Sequence, residues 1–154
     1  MGIEEHSKKH QGKFEEIWVK WLNNDMNLTP EPIDLTEIQN PFNSYIKNGG
    51  MVFYASFKEV CVGIVAIKKI NPLEFEFSKL VVLNEARGYG LGQELVQKCI
   101  DFVKYKEGKA LYLQSFHKLE IALKMYHKLG FVSCQPPIGM IVRERTEIIM
   151  KIDI

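Results

Sequence analysis

Leu80-Val-Val-Leu-Asn-Glu-Ala-Arg87-Gly88-Tyr89-Gly90-Leu91-Gly92-Gln-Glu-Leu95 joins an apolar, strand-like run to a turn with three glycines and the first turn of an amphipathic helix. Such a joint suits a phosphate. Gly88, Gly90 and Gly92 let the backbone turn with no side chain in the way. The amides of residues 88–92 can converge on one point, where the helix N-terminus adds about half a positive charge. Arg87 supplies a cation at the mouth, suited to bidentate phosphate contact.

The spacing excludes two phosphate loops. A dinucleotide fingerprint needs G-x-G-x-x-G and an acidic residue about 20 positions on. Here position 93 is Gln93, and residues 111–113 carry no acid. A Walker loop needs G-x-x-x-x-G-K-[ST], which is absent. What remains is Arg87-x-x-Gly90-x-Gly92. Taken alone, it also reads as a strand-to-helix turn with no ligand.

The chain has 154 residues, 46% hydrophobic and 25% charged, which predicts one domain over residues 1–154. Lys plus Arg is 20 and Asp plus Glu is 19, so nothing points to nucleic acid or an anionic membrane as a partner. Cys61, Cys99 and Cys134 are odd in number and far apart. They read as reduced thiols of a cytoplasmic protein, not as a disulfide framework or a zinc site. Lys8 and Lys9 are not followed by an apolar h-region, so residues 1–10 do not read as a signal peptide. No apolar run approaches 18 residues, which argues against a membrane span.

In order, residues 1–6 suggest a brief edge strand. Over residues 10–23, Phe14, Ile17, Trp18, Trp21 and Leu22 recur at helical spacing, with both tryptophans read as core anchors. Asp34-x-x-Glu37 reads as a capping box opening a second helix. Asn40-Pro41 reads as the cap of a third, with Phe42, Tyr45 and Ile46 buried and Gly49-Gly50 ending it. Residues 51–57, 60–70 and 74–83 predict an antiparallel meander. In the second strand, Val60, Val62, Ile64 and Ala66 share one face. In the third, Glu74, Glu76 and Ser78 oppose Phe75 and Phe77. A helix over residues 90–106, a strand over 109–116 parallel to the preceding one, and a helix over 119–129 follow. A short strand over 130–134, a loop over 135–144 and a strand over 145–154 close the chain. The fold class is a mixed α/β (α+β) sheet.

That element order, with the loop at Arg87, resembles the GNAT N-acetyltransferase superfamily, whose pyrophosphate loop reads R/Q-x-x-G-x-G/A. A second motif strengthens the likeness: a helix ending in Tyr126, then His-Lys-Leu, then Gly130-Phe131. The resemblance covers nearly the whole chain. It implies a GNAT-like, mostly antiparallel sheet flanked by helices, with residues 76–83 and 109–116 splayed apart at the cofactor cleft. It implies acetyl-CoA (coenzyme A) as co-substrate, with no metal. Pantetheine would lie along Val81, Val82 and Leu83, and the pyrophosphate on Arg87, Gly88, Tyr89, Gly90, Leu91 and Gly92. Many relatives carry Glu-Ser-Asn after the second splayed strand; here it is Gln114-Ser115-Phe116, so the Asn contact is lost or passes to Ser115 or His117.

The chemistry asks for two proton movements. An amine of pKa about 10.4 is only about 0.1% neutral near pH 7.4, so freeing its lone pair costs roughly 4 kcal/mol. Glu76 matches the base position some family members use, with Glu74 in reserve; the alternative is that both are solvated strand residues. A thiolate of pKa about 8.5 leaves more easily with a proton donor, and Tyr126, pKa about 10, matches the family tyrosine. Its alternative is a core tyrosine. No cysteine has an evident His partner, so attack is expected to be direct, within a ternary complex. His6 and His10, spaced i, i+4, read as surface residues. The acceptor would be a small-molecule or peptide amine, and Asp34, Glu37, Glu74 and Glu76 hint that it is cationic. A non-catalytic coenzyme A-sensing domain and a scaffold for protein interaction stay open, as does oligomeric state, a homodimer included.

Overall fold

A computed structural model describes residues 2–154 of the chain. Strand β1 (Gly2–Glu5) forms the predicted edge, pairing antiparallel with β2 (Met51–Phe57). Strands β3 (Val60–Asn71) and β4 (Glu74–Val82) complete the meander. Then come β5 (Ala110–Ser115), β6 (Val132–Ser133) and β7 (Ile148–Asp153). Among the described residues these strands make one sheet, ordered β1-β2-β3-β4-β5-β7-β6, in which only β4 and β5 run parallel.

Helices cover both faces. Helices α1 (Lys13–Lys20) and α2 (Pro32–Gln39) lie on one. Phe14, Ile17, Trp18 and Ile38 pack there against Val52, Tyr54, Ile64 and Ala66. Helices α3 (Leu91–Tyr105) and α4 (Glu120–Leu129) lie on the other, where Leu95, Cys99 and Tyr126 meet Val65, Phe75 and Phe77. Each fully buried side chain of this size contributes on the order of 1.5–3 kcal/mol relative to exposure.

Two bulges correct the expected alternation. Ala55 pairs with Gly63 and Ser56 with Cys61, so Val62 is an extra residue in β3. Val62 therefore joins the α3 face while Ile64 and Ala66 join the α1 face. In β4, Ala66 pairs with Ser78 but Ile64 with Val81, again one residue too many. Lys79 absorbs it at φ +58°, a left-handed conformation unusual for a side-chain-bearing residue. Its ammonium thereby follows Glu76 to the α2 side instead of alternating away.

Other expectations are corrected too. Helix α1 starts at Lys13, after Gly12 at φ +80°, and ends in a wide π-type turn over Trp21–Asp25. The capping box of α2 is Glu31 with Asp34, because Pro32 takes the first helical position; Asp34 is the third helical residue, not the cap. Phe42 is exposed, although Tyr45 beside it is fully buried. A side chain at Gly50 would sit 1.9 Å from the Ile67 carbonyl, so the chain passes there only as glycine. Residues 145–147 belong to the loop before β7. His10 is buried, stacked on Tyr54 at 4.0 Å, and His6 shares a 2.8 Å hydrogen bond with the Tyr54 hydroxyl. These histidines pin the N-terminal segment to the sheet.

Candidate active site

Strands β4 and β5 pair over only three rungs, Glu74 with Ala110, Phe75 with Leu111 and Glu76 with Tyr112. Beyond Glu76 they part. The gap opens into a cavity of about 80 Å³ whose lining includes Trp21, Glu76, Ser115, Tyr126, Arg143 and Arg145. The bulge at Lys79 and the pairing of β5 with β7 up to Ser115 and Ile148 draw the two strands to different neighbours.

The open edge of β4 leads into the glycine turn. Leu83 donates its N–H to Val62 and accepts at its carbonyl from Ala86, while Val81 sits in register with Ile64 of β3. The Val82 carbonyl, at the other end of the Leu83 peptide, points away from β3. Gly88 (φ +88°) and Gly90 (φ +79°) turn the chain through left-handed conformations. The N–H groups of residues 88–93 donate to no protein group among the described residues, and Glu94 N–H makes the first helical bond, to Gly90. A Cβ on Gly92 would meet Met125 and Val82 only at 3.9 Å, so the space beside the helix start is left open. Arg87 does not stand free at this mouth. Its Nε donates to the Val82 carbonyl at 2.9 Å and its Nη2 to Asp25 at 2.8 Å.

Glu76 is buried at the point where the strands separate. Gln114 Nε2 donates to Glu76 Oε2 at 2.9 Å, and Arg143 Nη1 lies 3.9 Å from the same oxygen. Burial pushes the Glu76 carboxyl above the ordinary carboxylate range, against the pull of Arg143 and Gln114. Tyr126 is packed edge-on against Phe77, and burial raises its phenol well above 10. The Ser115 hydroxyl is buried on the lining and has no hydrogen-bond partner. Glu74 is held by Asn71 and Tyr112, and Glu74 and His117 both lie outside the lining.

Behind the cavity lies a charge cluster that the sequence reading missed. Asp34 and Glu37 of α2 do not line the cavity; they are counterions. Arg143 Nε and Lys79 Nζ reach Asp34 at 3.1 and 3.0 Å, and Arg145 grips the same carboxylate with both Nη atoms. Glu37 binds Arg143, Lys79 and Lys68. Burial works against charge on Glu37, but Lys79, Arg143 and Lys68 outweigh it and hold the carboxyl down to about 2. The hint of a cationic acceptor from Asp34 and Glu37 therefore fails, because their charge is already spent. One signal was available: Lys79 is a cation set directly against the apolar run at residues 80–83.

Gln114 ties this cluster to the strand. Its Nε2 also donates to the Ile141 carbonyl, and its Oε1 accepts from Arg143 N–H and the Thr146 hydroxyl. Among the described residues no three or more His, Cys, Asp or Glu are grouped to hold a metal ion, and no helix is long and apolar enough to cross a membrane.

The model of the acetyltransferase (GNAT) family matches residues 14–131. The N-alpha-acetyltransferase RimI of Mycobacterium tuberculosis is 30% identical over 98 residues, 62% of this chain and 56% of RimI. The matched region spans about half the length of the curated relatives. Among solved structures, a GNAT-family acetyltransferase from Staphylococcus aureus Mu50 superposes with a TM-score of 0.91 at 18% identity, covering 99% of this chain and 98% of that one. A PaiA N-acetyltransferase from Thermoplasma acidophilum, solved with coenzyme A, gives 0.73 at 17% identity with full coverage of both chains.

Proposed function

The chain belongs to the acetyltransferase (GNAT) family, and on that premise we propose that it transfers an acetyl group from acetyl-CoA to a primary amine of a small molecule or peptide. Transfer is direct, within a ternary complex. One cytoplasmic domain over residues 1–154 carries both sites. The observation that carries this reading is the parting of β4 and β5 after Glu76, next to the unpartnered amides of residues 88–93.

The residues present fit the cofactor. Six N–H groups without acceptors suit a diphosphate, the space beside Gly92 permits its close approach, and the orphaned Ser115 hydroxyl offers a hydrogen bond to a ligand in the gap. Val82, Arg87 to Gly92 and Ser115 would hold it, Val81 and Leu83 shaping the strand behind. Arg87 must give up the Val82 carbonyl to reach a phosphate. The coenzyme A complex of a protein with the same fold is consistent with this.

When bound, acetyl-CoA supplies a thioester carbon for the amine to attack. The chain supplies the protons' route. Glu76 Oε2, made more basic by burial, accepts the proton that the acceptor ammonium must lose. Tyr126 Oη, kept protonated by burial, holds a proton for the leaving sulfur. Cys99 is fully buried with its thiol pushed up, which supports direct attack over a cysteine intermediate.

Thermal melting with acetyl-CoA, then an amine panel with thiol detection, tests the proposal. Ligand at 100 times its dissociation constant should add about 2.7 kcal/mol. No shift at millimolar acetyl-CoA overturns the proposal; a shift without thiol release from any amine leaves a coenzyme A-sensing domain.

A further inference from the structure

The cavity presents two opposite charges side by side. Glu76 Oε2 and Arg143 Nη1 are 3.9 Å apart, and both residues line the same space. Arg143 spends Nε on Asp34 and Nη2 on Glu37, but Nη1 makes no hydrogen bond. Arg145, on the same wall, uses its two Nη atoms on Glu31 and Asp34 and leaves its Nε–H free. A guanidinium has five N–H donors in a planar fork, so both arginines keep donors for a further carboxylate. The acids that balance them stand behind them, off the lining. The cavity thus meets the cationic side of the layer, with Glu76 the lining carboxylate.

We propose that the acceptor is a zwitterion, a free amino acid whose ammonium docks on Glu76 and whose carboxylate docks on Arg143 and Arg145. This rests on the acetyltransferase reading. The 3.9 Å between the two sites sets the spacing: an ammonium and a carboxylate must lie within a few bonds of each other, as in α- and β-amino acids. Polyamines bring no carboxylate to the arginines. A peptide N-terminus has its nearest carboxyl locked in an amide. Trp21, Phe116 and Leu119 on the same lining suit an apolar side chain on the amino acid.

Three amines of one shape test this: phenylalanine, phenylalaninamide and phenethylamine, each with acetyl-CoA and thiol detection. Phenylalanine should exceed both others at least about 10-fold in kcat/KM, the size of one lost charged hydrogen bond. Arg145→Gln should cut that ratio several-fold, Arg143 Nη1 keeping the remainder. Should the variant not fold, melting of the wild-type coenzyme A complex with N-acetylphenylalanine against its amide reads the same contact, and the acid should give the larger shift. A coenzyme A shift with equal rates, or with the amide or phenethylamine preferred, overturns the zwitterion and spares the acetyltransferase. If none of the amines reacts, equal shifts by the acid and amide products overturn it. No coenzyme A shift overturns both.

Discussion

Tyr126 packs as a core residue and, in the proposed reaction, also holds the proton for the leaving sulfur. Its ring stands edge-on to Phe77 at 5.7 Å and tilts against Phe131 at 5.9 Å, so phenylalanine can fill the same space. Tyr126 also lines the cavity. Tyr126→Phe should therefore leave the melting temperature and acetyl-CoA affinity nearly unchanged. Single-turnover acetylation should slow by about 10²-fold, the low end for a general acid. An unchanged single-turnover rate removes Tyr126 from the chemistry. The positions of Tyr126 on α4 and of the glycine turn before α3 were legible because each sits in a local pattern. The pairing of Arg143 and Arg145 with Asp34 was not, since 109 and 111 residues separate the partners. No periodicity connects such positions; only the folded sheet does.

At the scale of elements, pattern and structure agree where one face is buried and part where a residue is inserted. Strand β2 and helices α3 and α4 fall close to their expected bounds, because period-2 and period-3.6 burial is local information. The bulge at Val62 was invisible, since an extra residue in an all-apolar run leaves no gap in the pattern, and the one at Lys79 showed only as two polar residues in a row, Ser78 and Lys79. Yet the second bulge turns Lys79 into the charge cluster. Gly90 is the element-scale test. A Cβ there meets nothing within 4 Å, so the cost of Gly90→Ala comes from its φ of +79° alone. That strain is roughly 1–2 kcal/mol. It should lower the melting temperature by about 2–8 °C and weaken acetyl-CoA binding as the amides turn away. Full stability with full affinity would mean the loop does not need this geometry.

Across the whole molecule, four carboxylates (Glu31, Asp34, Glu37, Glu76) and four cations (Lys68, Lys79, Arg143, Arg145) join α2, β3, β4 and the loop before β7. Such a network ties stability to pH. Glu37 is held at about 2 against an ordinary 4.5. The unfolded chain therefore takes up this proton first. The stability Glu37 contributes is complete above pH 4.5 and is lost as pH falls toward 2, on the order of 3 kcal/mol at 1.36 kcal/mol per pH unit. Asp34, depressed further because Arg145 and Lys79 outweigh its burial, extends the loss in the same direction. Glu76 runs the other way: its raised carboxyl binds a proton in the folded state first, adding stability as pH falls toward 4.5. From pH 7 to mildly acid this gain from Glu76 is opposed by His6 and His10, whose imidazoles burial holds below their ordinary value, so that the unfolded chain takes up their protons first; below pH 4.5 the melting temperature should fall steeply. Glu37→Gln should be destabilised at pH 7, where it leaves Arg143 and Lys79 short of a counterion. The gap to the wild type should shrink as pH drops from 4.5 to 2. A gap that stays constant over that range would mean the Glu37 carboxylate is not what binds α2 to the arginine loop.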